Sequence, residues 1–135
     1  MISYIDSIEN IIQDQLKGFF VGWTNPPSPK THLRLLANSD KVVLAIDDKS
    51  SNVVGFITAI SDDVLSAYIP FLEVLPDYQC RGIGQELCRR MLGKLSGLYM
   101  VDLLCDTQLQ PFYTHFGMKS ATGMMKRNYE RQSGT

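Results

Sequence analysis

The sequence predicts a mixed α/β fold in which antiparallel strands come first and a strand–helix–strand crossover follows. Three observations carry this. Two β-branched, apolar runs, Lys41–Asp47 and Val53–Ser61, are separated by Asp48-Lys49-Ser50-Ser51-Asn52, the composition of a hairpin turn. A further apolar run ends at Leu72-Glu73-Val74-Leu75-Pro76 and leads into Gln79-Cys80-Arg81-Gly82-Ile83-Gly84. Beyond those glycines, Ile83, Leu87, Met91, Leu92 and Leu95 recur at helical spacing up to Gly97. Tyr99–Cys105 is then apolar again apart from Asp102, so a parallel crossover joins the strands on either side of the helix.

The remaining elements follow in order. Residues 1–5 suit a short first strand. From Asp6 to Phe20, the spacing of Ile8, Ile11, Ile12, Leu16, Phe19 and Phe20 predicts an amphipathic helix. Gly22-Trp23-Thr24-Asn25-Pro26-Pro27-Ser28 reads as a proline-fixed loop. Ser28 then caps a helix that has Pro29 at its first position and runs to about Ala37. The third strand extends from about Leu65 to Leu75, reached through an Asp62-Asp63 turn. Tyr99–Cys105 reads as a strand covered on both faces. Leu109–Phe116 is a short helix closed by Gly117, and Met118 to about Glu130, with Gly123 as its turn, predicts a terminal hairpin. His32 and His115 are expected at the surface.

Composition bounds the function. With 135 residues and 44% hydrophobic content, the chain can bury a core as one domain over 1–135. A net charge of −1 argues against binding nucleic acid or a membrane surface through bulk charge. The apolar stretches are too short to span a bilayer, and Met1-Ile2-Ser3-Tyr4-Ile5-Asp6 lacks the basic start of a signal peptide. Three cysteines, Cys80, Cys88 and Cys105, are odd in number and lack metal-ligand spacing, so a reducing cytoplasm and no metal are expected.

The glycine segment carries the chemistry. Two glycines allow close approach of the backbone, and a helix starting there aims free N–H groups outward, an arrangement that binds phosphate. With this segment in place the chain resembles the GCN5-related N-acetyltransferase superfamily, whose signature is Q/R-x-x-G-x-G/A between a strand and a helix. Pro111-Phe112-Tyr113-Thr114-His115-Phe116-Gly117-Met118 is similar to that superfamily's F-Y-x-x-x-G-F element, and one helix and one apolar strand separate the two motifs. The resemblance implies a fold with splayed central strands and acetyl-coenzyme A as the acetyl donor. It implies that the amides of Arg81, Gly82, Ile83, Gly84 and Gln85 receive the pyrophosphate, with Gln79 and Cys80 in the same loop. Many relatives have glycine where Cys80 stands. Leu72, Val74 and Leu75 would flank the pantetheine arm, together with Phe112 and with Asp106, where relatives carry an asparagine; a helix N-cap is the equal alternative for Asp106.

By the same resemblance Tyr113 presents its hydroxyl to the coenzyme sulfur as general acid, and a backbone N–H near Val74 meets the oxyanion. The alternative for Tyr113 is packing beside Phe112 and Phe116. Glu73, the one carboxylate in its strand, is either the base that deprotonates the amine or a structural hydrogen-bonding group. Relatives of the arylalkylamine branch carry two histidines where this chain has Tyr68 and Pro70. Trp23, Asn25 and Pro26 stand where the superfamily shapes its acceptor pocket, with closing off the core as the equal alternative for this loop, and Tyr68 is a further acceptor-site residue. The expected activity is direct transfer of acetyl from acetyl-coenzyme A to a primary amine of a small molecule or peptide. The alternative is a coenzyme A-binding sensor or interaction module without turnover. A homodimer is compatible with the chain, which carries no signal for or against it.

Overall fold

The computed structural model describes residues 1–135. Its strands are β1 (Ile2–Ile5), β2 (Lys41–Asp47), β3 (Val53–Ser61), β4 (Ser66–Tyr68), β5 (Leu72–Val74) and β6 (Met100–Asp102). Its α-helices are α1 (Pro29–Ala37), α2 (Ile83–Lys94) and α3 (Gln110–Thr114). One sheet runs β1-β2-β3-β4-β6, and β5 also pairs with β3. The β2–β3 hairpin and the antiparallel start agree with the sequence, as does the crossover through α2, which returns β6 parallel to β4.

Two cores sandwich the sheet. Val43, Ala45, Val54 and Ile57 face Ile83, Leu87, Met91 and Leu95 of α2. Val42, Leu44, Val53 and Phe56 face Leu36 of α1 and Leu16, Phe19 and Phe20 of the N-terminal segment. A bulge at Ala45/Ile46 shifts the β2–β3 register and brings Gly55 under α2. A Cβ on Gly55 would lie 3.0 Å from Leu87 Cδ1 and 3.3 Å from Ile83 Cγ2. Glycine therefore lets the start of α2 sit this close to the sheet without displacing Leu87 or Ile83.

Ser28 caps α1 as read from sequence, its hydroxyl accepting the Thr31 N–H at 3.2 Å with Pro29 at the first helical position. Four other expectations are corrected. Asp6 to Phe20 is not an α-helix. Ile8, Ile11, Leu16, Phe19 and Phe20 reach the core through isolated turns, with one 3-10 turn at Gln13–Gln15, while Ile12 stays exposed, and positive φ at Gly18 (92°) and Phe20 (62°) is incompatible with a helix. The strand expected over 65–75 divides into β4 and β5, because Pro70 has no N–H to continue the ladder. The strand expected over 99–105 shortens to β6, which is not covered on both faces: Met100 is 39% exposed and Tyr99 83%. Residues 118–128 form no hairpin, since residues 119–127 make no backbone–backbone hydrogen bond.

His32 also departs from expectation and is 1% exposed. Its ring stacks edge-on against Phe19, Phe20 and Phe56 at centroid distances of 5.3, 4.9 and 4.4 Å, and neither nitrogen has a hydrogen-bond partner in the protein. Burial pushes its pKa down from 6.5 to about 4. The unfolded chain therefore takes up this proton first as pH falls. The stability contributed by the neutral ring is complete above pH 6.5 and is lost toward pH 4, by up to about 3 kcal/mol. Urea unfolding of the wild type should show this loss between pH 7 and 4.5, and His32→Phe should flatten it.

Candidate active site

The sheet opens where β5 and β6 diverge. β4 and β6 pair through Tyr68 and Asp102, and the Ile69 N–H donates to the Asp102 carbonyl at 3.0 Å. Beyond this point β5 stays with β3, while the chain after β6 turns toward α3. In the antiparallel β3–β5 ladder, the Phe71 carbonyl and Leu75 N–H both bond β3, to the Thr58 N–H and the Val54 carbonyl. Alternation therefore directs the N–H groups of Leu72 and Val74 away from β3, into the opening. The Val74 carbonyl is already taken by Gln79 Nε2 at 3.0 Å, which ties the glycine loop to the strand. The side chains of Leu72, Val74 and Leu75 pack against the α2 core.

The glycine loop ends at the start of α2. Gly82 is its N-cap, with φ of 83° and no side-chain capping bond. The Glu86 N–H donates to the Gly82 carbonyl, so the N–H groups of Ile83, Gly84 and Gln85 precede the helical ladder. Cys80 adopts φ of 62°, which gives a physical reason for glycine at this position elsewhere. Arg81 donates to the Asp77 carbonyl at 2.9 Å and lies 5.0 Å over the Tyr78 ring, so its guanidinium is held beside the loop. A Cβ on Gly84 would meet Phe112 and Val74 at 3.8 Å, ordinary contact distance, so alanine fits there as the Q/R-x-x-G-x-G/A pattern allows. The same contact brings the two sequence motifs together, because Phe112 belongs to α3. N–H groups outside the helical ladder, the dipole of a 12-residue helix and a nearby guanidinium fit a diphosphate.

Tyr113 stands on α3 in T-shaped contact with Phe112 at 5.0 Å. Burial, with the Cys88 and Cys105 thiols adding to it, pushes its pKa up from 10.0 to about 12. The phenol therefore keeps its proton at neutral pH. Tyr113 and Tyr68 line one cavity of about 1120 Å³, bounded by β6, α3 and residues 117–127. Trp23, Asn25 and Pro26 do not line it. Trp23 packs on Phe20 at 4.9 Å and Phe71 at 6.3 Å, and the Asn25 N–H donates to Gln132 Oε1. Asp106 begins the 3-10 turn Thr107–Leu109 with its carbonyl, and its carboxylate makes no cap.

Glu73 is engaged at both oxygens. Oε1 accepts the Phe20 N–H at 2.9 Å and Oε2 the Val21 N–H at 3.2 Å. Those two amides, with positive φ at Phe20 and Gly22, form a small anion-holding concavity. Of the two readings of Glu73, its hydrogen bonds support the structural one. The donating amides of Phe20 and Val21 carry no motif in the sequence, where Gly18 and Gly22 flanking Phe20 are the available signal. No group of His, Cys, Asp and Glu residues is placed to hold a metal ion, and no helix is long and apolar enough to cross a membrane.

Comparison with known proteins agrees with this geometry. The sequence profile of the acetyltransferase (GNAT) family matches residues 8–118. The crystal structure of a candidate acetyltransferase from Deinococcus radiodurans R1 is 44% identical, with a TM-score of 0.96 over 99% of this chain and 93% of that one. A GNAT family acetyltransferase from Streptococcus pneumoniae TIGR4 is 30% identical, with a TM-score of 0.76 over 95% of this chain and 98% of that one. An uncharacterized N-acetyltransferase, ycf52, from Pyropia yezoensis is 28% identical over 84% of this chain and 68% of its own length. With its profile match spanning both motifs and its fold shared end to end with such structures, this chain belongs to the GNAT family of acetyltransferases.

Proposed function

We propose that this acetyltransferase moves acetyl directly from acetyl-coenzyme A to a primary amine of a small molecule or peptide. The donor supplies the acetyl group as a thioester, whose sulfur leaves as a thiolate unless it is protonated. The N–H groups of Ile83, Gly84 and Gln85 would hold its diphosphate, with Arg81 alongside. The outward N–H of Val74 is oriented to donate to developing negative charge on the acetyl oxygen. Tyr113 Oη would give its proton to the departing sulfur, and the proton that the nitrogen sheds as the amide forms would pass to solvent, from which the phenolate is reprotonated. Glu73 acts as a positioning residue, holding the Phe20–Val21 backbone against β5.

The observation that carries this reading is Tyr113: burial pushes its phenol up to about 12, so it keeps its proton into alkaline pH, and it opens on a cavity large enough for an acceptor. Tyr68, 37% exposed in that cavity, would contact the acceptor. Trp23 braces Phe71 just before β5, and Asn25 and Pro26 continue its loop. Thiol release from acetyl-coenzyme A should be measured across aliphatic amines, arylalkylamines, amino sugars and peptide N-termini. Acetylation of at least one primary amine well above the rate of hydrolysis is expected. Donor binding by calorimetry with no turnover on any amine would overturn direct amine transfer.

A further inference from the structure

Residues 79–82 belong to no helix or strand, and of their backbone N–H groups only that of Gln79 makes a backbone hydrogen bond, to the Pro76 carbonyl at 3.3 Å. Side chains therefore hold the glycine loop in place. Gln79 Nε2 ties it to the Val74 carbonyl of neighbouring β5 at 3.0 Å. A second tether reaches a different part of the sheet. Tyr78 Oη donates to Asp47 Oδ2 at 2.5 Å, at the end of β2 and 31 residues away in sequence.

Asp47 is itself fixed. Its Oδ1 accepts the Lys49 N–H at 3.0 Å and its backbone N–H donates to the Asn52 carbonyl at 3.0 Å, so the β2–β3 turn orients the carboxylate. The Tyr78 ring is thus anchored at both ends, by the 3-10 turn Pro76–Tyr78 at its base and by Asp47 at its hydroxyl, and it packs against the α2 core. On the face of that ring, 5.0 Å from its centre, rests the Arg81 guanidinium, whose Nη2 donates to the Asp77 carbonyl. No carboxylate pairs with Arg81, and its Nε and Nη1 donate to nothing in the chain. An oriented cation without a counter-ion, next to the N–H groups that open α2, is arranged for an anion from outside.

We propose that Asp47 acts through Tyr78 as a positioning residue for the acetyl donor, fixing the aromatic platform on which Arg81 meets the donor's diphosphate. The proposal rests on the reading that this diphosphate sits at the start of α2. Without the Asp47 bond the ring and the guanidinium above it would have to be ordered at each binding event. With the bond, that entropy is already lost on folding, and the donor binds a preformed site. A ligand that lacks the diphosphate gains nothing from the tether.

Calorimetry on the full chain, comparing coenzyme A with pantetheine, tests this without turnover. The wild type should bind coenzyme A the more tightly. Tyr78→Phe keeps the ring and removes the tether; it should raise the Kd of coenzyme A about tenfold and leave that of pantetheine within about twofold. In an Arg81→Ala background the same substitution should add nothing further, because the platform then carries no guanidinium. Circular dichroism checks the fold. If Tyr78→Phe misfolds, Asp47→Asn, which keeps an acceptor and loses the charge, should show the same selectivity with a rise of about threefold. An unchanged Kd for coenzyme A, an equal rise for both ligands, or full additivity with Arg81→Ala would each overturn the proposal and leave the diphosphate reading standing. A wild type that binds both ligands equally would overturn that reading and the proposal with it.

Discussion

Tyr113→Phe lowers kcat about 10²-fold or more while leaving KM for acetyl-coenzyme A nearly unchanged, the signature of a lost proton donor rather than lost binding. The substitution keeps the ring and its contact with Phe112, so thermal unfolding of the variant should follow that of the wild type closely. The pH profile adds a second readout. An alkylamine becomes a free base only near its pKa of about 10.4, so the rate should climb through mildly alkaline pH. The Tyr113 phenol, at about 12, still carries its proton across that range and should impose no descending limb there. A variant as fast as the wild type at both neutral and alkaline pH would remove Tyr113 from the mechanism.

The second large effect falls on stability. Glu73→Gln keeps the size of the side chain but replaces one acceptor oxygen with an NH₂ that cannot accept. One of the Phe20 and Val21 N–H groups then loses its partner, and the charge behind the other bond is lost. A loss of about 2–3 kcal/mol in urea unfolding is expected. The kinetic signature distinguishes positioning from base catalysis. For a positioning residue the pH–rate profile keeps its shape while KM for the acceptor rises, because the Phe20–Trp23 segment loosens. A profile whose acidic limb disappears, with folding intact, would make Glu73 the base instead.

What could be read from sequence was local. The Ser28–Pro29 helix start, the turn at 48–52 and the helix behind Gly82 each follow from a few adjacent residues, and each stands where expected. What could not be read depended on distant partners. Ile8, Ile11, Leu16 and Phe19 have helical spacing, yet they bury themselves without a helix because Glu73, some fifty residues away, holds the backbone that follows them. His32 carries no local sign of burial; it is enclosed by Phe19, Phe20 and Phe56 from two other elements. The site divides in the same way. Tyr113 and the glycine loop were legible as motifs, and their meeting through Phe112 and Gly84 required the fold. Trp23, Asn25 and Pro26 are not among the residues that line the Tyr113 cavity, and nothing local in their sequence could have told that.

β5 is only three residues long, yet it serves two masters by parity. Glu73 reaches back to the N-terminal loop, while the N–H groups on either side of it face the opening in the sheet. Adding or removing a single residue between Pro70 and Pro76 would exchange those directions, turning the carboxylate toward the donor and the free amides toward β3. Length variation among descendants of this chain should therefore be absent from that stretch, however freely the loops around it change. Designs that graft new acceptor loops onto this scaffold should keep its residue count fixed.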